Sequence, residues 1–515
     1  MAQLYCEKPS WGRRNNSMVK TTLNFLAIDL GAESGRTILG KLDGQHLDLS
    51  EVHRFPNLPV WVNTKSGQPT LYWDILQLWQ NVKEGITRAV HKPNVLISGI
   101  GIDTWGVDFG LLDRQGTLIA NPIHYRDSRT DSMMEEAFKR MPRRQIFELT
   151  GNQFLQLNTL YQILSLVTSH SPSLEAAETL LTMPNLLNYW LTGRMACEFT
   201  HATTTQCFDP RLGNWSDPLL QAMQIPRRLF PEIIQPGTVL GPLLPTVAKE
   251  LGGNLQVIAP ATHDTGSAVA VVPAKGKGFA WISCGTWSVM GTEIDHPVIN
   301  QESLDTNFTN EGGVGNTIRF SKNIMGLWPL QECRRYWASQ GEDLSYQDLT
   351  TLAQSAPPFI AVIDIDFGEF LKPGEMPTRI QEYCRRTGQA VPETKASLAR
   401  TILEGIALKY RYVLECLEKM THQKLEPLHI VGGGTQNRLL SQFAADATGR
   451  LVVTGPAEAT AAGNILMQAV ALGALDSVQQ AREVVRNSFE VSEFEPAAQT
   501  GWDEAYDKLL RMIEK

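Results

Sequence analysis

The sequence predicts an α/β protein of two related lobes facing each other across a cleft, and three observations predict it. FLAIDLGAESGRTILG (Phe25–Gly40) is an apolar strand, a turn of small and polar residues, and a second apolar strand. GFAWISCGTWSVMGTE (Gly278–Glu293) repeats that layout about 255 residues later. LHIVGGGTQNRLLSQFAADATG (Leu428–Gly449) is a strand, three glycines and a helix, as an α/β lobe requires. One such hairpin is a common motif. Two, each opening one half of a 515-residue chain, indicate a duplicated domain.

The elements follow in order. Phe25–Leu30 and Arg36–Gly40 are the strands of the first hairpin, and Leu47–Asn57 alternates as a third strand. Trp73–Val90 has helical spacing, with Ile75, Trp79, Val82 and Ile86 on one face. Leu96–Asp113 reads as strand, turn, strand, and residues 130–225 as mainly helical and irregular. Leu255–Val272 is an apolar strand, a polar turn and a helix of small residues. After the second hairpin comes a long helix, Ser397–Met420, with Leu398, Ile402, Leu403, Ile406, Tyr410, Val413, Leu414 and Leu417 as its apolar stripe. The triple-glycine unit, a further strand and helix, and a polar helical end complete the chain. The expected domains are a leader over 1–22, lobes over 23–272 and 273–480, and a tail over 481–515.

Bulk composition narrows the partners. With 43% apolar and 19% charged residues a large core is feasible, and a net charge of -8 argues against nucleic acid or an anionic membrane surface. The seven cysteines are scattered with no CxxC pair, which suits a reducing cytoplasm. No run long enough for a transmembrane helix occurs, and translation from Met18 fits the polar, aperiodic opening.

Turns rich in Gly, Ser and Thr expose backbone N–H groups that bind anions. In the first turn, Asp29 would repel phosphate directly and suits Mg²⁺ held through water, while Arg36 is placed to approach phosphate oxygens. Ser283 and Thr286 offer the matching turn across the cleft. Gly432, Gly433 and Gly434 would let backbone approach a nucleotide at a helix N-terminus. A dinucleotide fingerprint would need glycine where Asn437 stands, and no P-loop motif occurs.

Phosphoryl transfer to a hydroxyl needs a carboxylate to take the proton. Asp264, in ATHDTGSAV, stands between strand and helix, with His263 and Thr265 beside it to hold acceptor hydroxyls. The competing use of Asp264 is a helix N-cap. The segment Gly101–Thr130 is dense in groups that hold sugars: Trp105, Gly106, Asp108, Tyr125, Arg126, Asp127 and Arg129. Asn323 and Gln331 are eight apart, a spacing that would put them on one face of a helix.

The motifs DLGAESGR, DTWGVDF, YRDSRT, THDTGSA, SCGTWS, TNEGG and GGGTQN occur in an order that resembles the FGGY carbohydrate kinases, most of all their rhamnulokinase branch. The resemblance covers about residues 23–480. It implies two domains of the actin-like ATPase (ribonuclease H-like) fold. It implies ATP- and Mg²⁺-dependent phosphorylation of O1 of L-rhamnulose or a similar deoxyketose by a cytoplasmic monomer or homodimer. By motif, Ala32, Glu33, Ser34, Gly35, Arg36, Thr286, Gln331 and Gly432 to Gly434 would bind ATP. Gly106, His263, Thr265 and Asn323, with Asp108 and Arg126, would bind the sugar; Asp264 would accept the proton and Asp29 would hold Mg²⁺ through water. Glu33 departs from the wider family, which has a small residue there; a carboxylate beside phosphate is tolerable if it points away. The alternatives are a kinase for another ketose or polyol (L-fuculose, xylulose), a non-enzymatic actin-like nucleotide switch, and a dehydrogenase using the late glycines.

Overall fold

The computed structural model describes residues 22–63, 65, 67–497 and 500–513, so all but the last residue of the expected leader lies outside the described residues. Strands β1 (Leu23–Leu30), β2 (Ser34–Leu42) and β3 (Leu47–Pro56) form an antiparallel meander. Helix α1 (Ile75–Val90) leads to β4 (Ile97–Thr104), which lies parallel to β1. A mainly helical insertion follows, then β5 (Thr238–Pro242), β6 (Gln256–Ala259) and α2 (Asp264–Ala270). The first sheet has the order β5-β6-β4-β1-β2-β3.

The second half repeats this plan. Strands β7 (Ala280–Cys284), β8 (Trp287–Ile294), β9 (Thr309–Gly312) and β10 (Ile318–Met325) precede helices α3 (Trp328–Ser339) and α4 (Lys395–Thr421). Then come β11 (Leu428–Val431), α5 (Arg438–Thr448), β12 (Val452–Thr454) and α6 (Ala459–Ala471). Helix α7 (Val478–Ser488), β13 (Glu493–Phe494) and α8 (Trp502–Ile513) close the described chain. The second sheet has the order β9-β10-β8-β7-β11-β12-β13.

The two sheets share a six-strand plan, to which the second adds β9 at its edge. The central β1 and β7 each pair antiparallel with the next strand and parallel with β4 or β11. Each sheet then adds a parallel strand and an antiparallel edge. Strand β1 is apolar almost throughout because it is covered on both faces, and Phe25, Leu26, Ala27, Ile28 and Leu30 are all fully buried.

The lobes share their packing. Helix α6 comes from the second half yet lies on the first sheet, where Gln468 Nε2 donates to Leu26 O at 3.0 Å and Asn464 Nδ2 to Asp103 at 2.5 Å. It crosses α2 at Gly463, where a Cβ would stand 1.9 Å from Ser267 O. Only glycine permits that approach. One apolar cluster runs through Phe25, Ile38, Val271, Trp281, Ala462 and Ile465, so the core is continuous across the halves.

Three expectations change in detail. Asn323 and Gln331 do not share a helix: pairing with β8 keeps the chain extended to Met325, and Gln331 follows on α3. Phe109–Leu112 does not return along β4 but pairs with residues 179–182. The expected boundary at 480/481 falls inside α7, and β13 adds a strand to the second sheet, so the C-terminal segment is part of the lobe.

Candidate active site

A cavity of about 240 Å³ lies between the lobes, with Ala32, Trp105, Gly106, His263, Asp264 and Thr265 from the first and Trp287, Glu311 and Asn323 from the second. The loop after β6 enters it because Thr104 N donates to Thr262 O at 2.9 Å, docking His263 beside the end of β4.

Asp264 is the first residue of α2, and His263 occupies the cap position. Its Oδ1 accepts from Thr265 N at 2.5 Å and from the Thr265 hydroxyl at 3.2 Å. A capping side chain would instead reach amides further into the helix. Burial, and next the charge of Asp29, push the Asp264 carboxyl up to about 7. His263 Nε2 lies 3.4 Å from Asp264 Oδ1, and burial with nearby Arg319 holds this imidazole well below its usual pKa.

The hairpin turns converge on one region. In the first, Gly31 N donates to Ser34 O, and Asn57 fastens the turn by donating to Gly31 O at 2.9 Å and Glu33 O at 3.0 Å. In the second, Leu327 N and Trp328 N donate to Gly285 O and Thr286 O, so α3 starts on that turn. Glu33 reaches Arg335 of α3 at 3.1 Å, which ties the first turn to the helix that begins at the second. The unusual carboxylate therefore points to a guanidinium of the other lobe. Gln331, one turn before Arg335, has a buried Oε1 without a partner.

Arg36 donates to Asp29 at 2.5 Å and pairs with Glu458, which precedes α6. Gly432 N donates to Pro456 O, bringing the triple glycine to the same segment. Gly432, at φ +89°, and Gly434 lie against the second turn: a Cβ at Gly434 would stand 2.1 Å from Cys284 Sγ, while one at Gly433 would meet open space. Two of the three glycines thus serve close packing.

Asp108 and Arg126 lie outside the cavity lining. Asp108 is fully buried and accepts from Trp73 Nε1 at 2.6 Å, Trp105 Nε1 at 2.9 Å and Gln162 Nε2 at 3.0 Å. Burial raises its carboxyl to about 6, and the two indoles oppose that shift. Its position makes it the anchor of Trp105, which does line the cavity. Arg126 lies over the rings of Tyr125 and Trp328, 5.6 and 5.4 Å from their centroids, so it bridges the lobes. Asn323 donates through its backbone and side chain to Gln153 Oε1, at 3.2 and 3.0 Å, with both residues on the cavity wall.

Three charged residues escaped the sequence reading. Glu198, fully buried, accepts from the amides and hydroxyls of Thr200 and Thr262 at 2.5–3.0 Å and so pins the segment leading to Asp264. Glu311 lines the cavity, and Arg319 is fully buried behind it. The only sequence signal for Glu198 is one carboxylate in a run of threonines (Thr200, Thr203, Thr204, Thr205).

Asp29 and Asp103 stand opposite each other on β1 and β4. Burial and the Asp29 charge push the Asp103 carboxyl well up, and its Oδ1 is buried without a partner. Two adjacent carboxylates, one with an unsatisfied oxygen, fit a hydrated Mg²⁺, which needs only one or two protein carboxylates beside waters and phosphates. No cluster of three or more metal-binding side chains occurs among the described residues.

A half-buried carboxylate at the start of α2, in a cavity between two lobes of one plan, suits an enzyme that phosphorylates a small polyhydroxy acceptor. Comparison with known proteins supports that class. The profiles of the FGGY family of carbohydrate kinases match at residues 24–270 for its N-terminal domain and 280–472 for its C-terminal domain. A rhamnulokinase of Bacteroides thetaiotaomicron is 44% identical over 484 residues, 94% of this chain and 98% of that one. The rhamnulokinase of Bacillus subtilis is 38% identical over 473 residues, 92% and 95% of the two chains. Among solved structures, gluconate kinase from Lactobacillus acidophilus superposes with a TM-score of 0.79 at 18% identity, covering 96% of this chain and 98% of that one. Plasmodium falciparum glycerol kinase with ADP gives 0.77 at 17%, with 96% and 98% covered.

The chain belongs to the FGGY family of carbohydrate kinases, and its two-domain α/β architecture is that of the family.

Proposed function

We propose that this carbohydrate kinase transfers the γ-phosphoryl group of ATP to the O1 hydroxyl of L-rhamnulose or a closely similar deoxyketose. The observation that carries the reading is Asp264, half-buried with its carboxyl pushed up to about 7, at a cavity with two kinds of wall. Asn152, Gln153, Asn158, Thr204, Glu311 and Asn323 offer partners to sugar hydroxyls. Val107, Leu155, Leu157, Trp287 and Val289 offer an apolar wall that suits a methyl group. The names of the relatives above point the same way.

In this reading Asp264 accepts the O1 proton as O1 bonds to the γ-phosphorus and the bridging P–O bond breaks, releasing ADP. Gly106, His263, Thr265 and Asn323 hold the sugar; Asp108 acts through Trp105, and Arg126 by holding the lobes together over it. Ala32 to Arg36, Thr286, Gln331 and Gly432 to Gly434 serve the nucleotide, and Arg36 serves it by keeping Asp29 and Glu458 in place. Asp29, through water and beside Asp103, would hold Mg²⁺, which supplies charge neutralisation on the phosphates. The first lobe then carries the base and most of the sugar contacts, and the second, with the first hairpin turn, the nucleotide, in a cytoplasmic monomer or homodimer.

The test is ADP release with Mg²⁺ and ATP over L-rhamnulose, L-fuculose, L-xylulose, D-xylulose, L-ribulose and glycerol. The expected result is the highest kcat/KM with L-rhamnulose and a 1-phosphate product. Preference for another acceptor overturns the sugar assignment, and ADP release indifferent to every sugar would establish the nucleotide-switch reading instead.

A further inference from the structure

Arg319, on β10 of the second lobe, has no exposed surface. Its Nε donates to Gly312 O at 2.8 Å, and one terminal nitrogen donates to Glu311 at 3.1 Å. That same nitrogen stands 3.0 Å from Nδ1 of His263, in the first lobe. A guanidinium can only donate hydrogen bonds, so Nδ1 must accept and carries no proton. Burial and the Arg319 charge disfavour the imidazolium, which leaves a neutral ring. A neutral imidazole with a bare Nδ1 holds its proton on Nε2; the tautomer is assigned here from the partner's chemistry. Nε2 is the nitrogen near Asp264 Oδ1, in the cavity that both residues line.

We propose that Glu311 and Arg319 are positioning residues that reach across from the second lobe and fix His263 as an Nε2–H donor to the oxygen of the acceptor hydroxyl beside Asp264. The proposal rests on the sugar-kinase reading of the cavity. Its chemistry is a division of labour. A hydroxyl that accepts from His263 presents its own proton elsewhere, and Asp264 is the acceptor beside it. The opposite tautomer would bring Nδ1–H to Glu311, 3.5 Å away, and turn two donors against each other at Arg319. It would also leave a bare Nε2 competing for the hydroxyl proton. Because Arg319 and His263 belong to different lobes, the donor is set only when the lobes are together.

The direct test is a long-range ¹H–¹⁵N spectrum of the full chain labelled on its histidine rings, with His263 identified by its loss in His263→Asn. The expected signal has a protonated-type Nε2 and an unprotonated-type Nδ1. A protonated Nδ1, alone or with Nε2, overturns the proposal. The kinetic test compares Arg319→Met, which keeps bulk without a donor, with Arg319→Lys, which keeps donor and charge. The methionine variant should raise KM for the sugar roughly tenfold, the loss of about one hydrogen bond. KM for ATP should stay unchanged, and lysine should recover most of the loss. Equal change in both KM values, or none in either, overturns it. If Arg319→Met does not fold, the spectrum of the unaltered protein decides. If no sugar is turned over, the kinase reading fails while the tautomer result still stands or falls on its own.

Discussion

Oδ1 of Asp264 lies 3.4 Å from Nε2 of His263, and the histidine brings no charge to that contact because burial and Arg319 keep it neutral. The carboxyl is therefore pushed up to about 7 by its burial and by Asp29 with no neighbouring imidazolium to oppose them. A base must be deprotonated to accept the hydroxyl proton. Activity should accordingly rise with pH through about 7 and level off above it. Initial rates at low sugar concentration, from mildly acidic to mildly basic buffer, read this limb. Asp264→Asn should lose on the order of 10²–10⁴-fold in kcat and lose the limb with it. A variant near the parent rate would remove Asp264 from the chemistry.

Helices α2 and α6 cross where Gly463 meets the carbonyl of Ser267, leaving 1.9 Å for any added Cβ. Carbonyl oxygen cannot rotate aside as a long side chain can, so one helix must shift. Gly463→Ala should destabilise the protein by about 1–3 kcal/mol, the usual cost of overpacking. Chemical denaturation checks it, and an unchanged midpoint would show that the crossing is looser than the contact implies.

The duplication was legible because its signal is local. A strand covered on both faces is apolar along most of its length, and β1 and β7 both are, each followed by a turn of small polar residues. The position of Asp264 was legible for the same reason, as a carboxylate between an apolar strand and a helix of small residues. The misreadings share a different cause. Eight residues from Asn323 to Gln331 fit two helical turns, yet they equally fit a strand end, a turn and a helix start; pairing with β8 decided between them. Asp108 among tryptophans looks the same in sequence whether its oxygens meet a sugar or two indole N–H groups. Glu198 and Thr262 are 64 residues apart, and Arg319 and His263 are 56. No local pattern links them.

The glycines of the triple differ in the room beside them. Gly434 is pressed against Cys284, whereas Gly433 faces open space. Gly434→Ala should lower the melting temperature and soluble yield, since its methyl has no room beside the sulfur. Gly433→Ala should fold as the parent does but raise KM for ATP several-fold with KM for the sugar unchanged, by blocking backbone approach to the nucleotide. Thermal unfolding and steady-state kinetics on the pair test this. Reversal of the two phenotypes would place the ligand on the Gly434 side.

Glu198 gathers four donors on one carboxylate, and three of them meet the same oxygen. Glu198→Gln keeps the shape but exchanges one acceptor for a donor. The amide can keep its oxygen on the side of Thr262 and must then turn its NH₂ toward the Thr200 amide, leaving two donors face to face. An unsatisfied buried donor costs about 1–3 kcal/mol, part of which relaxes into movement of the Thr262 segment. Asp264 lies two residues beyond, so kcat should fall by roughly 10–10²-fold, as misplacement of a catalytic group requires. KM for ATP should hold, because none of the residues proposed to serve the nucleotide lies on this segment. Glu198→Ala, which removes both acceptors, should show the same pattern more strongly together with a lower denaturation midpoint. A normal kcat in Glu198→Gln would mean that the Thr104–Thr262 backbone bond alone suffices to place the base.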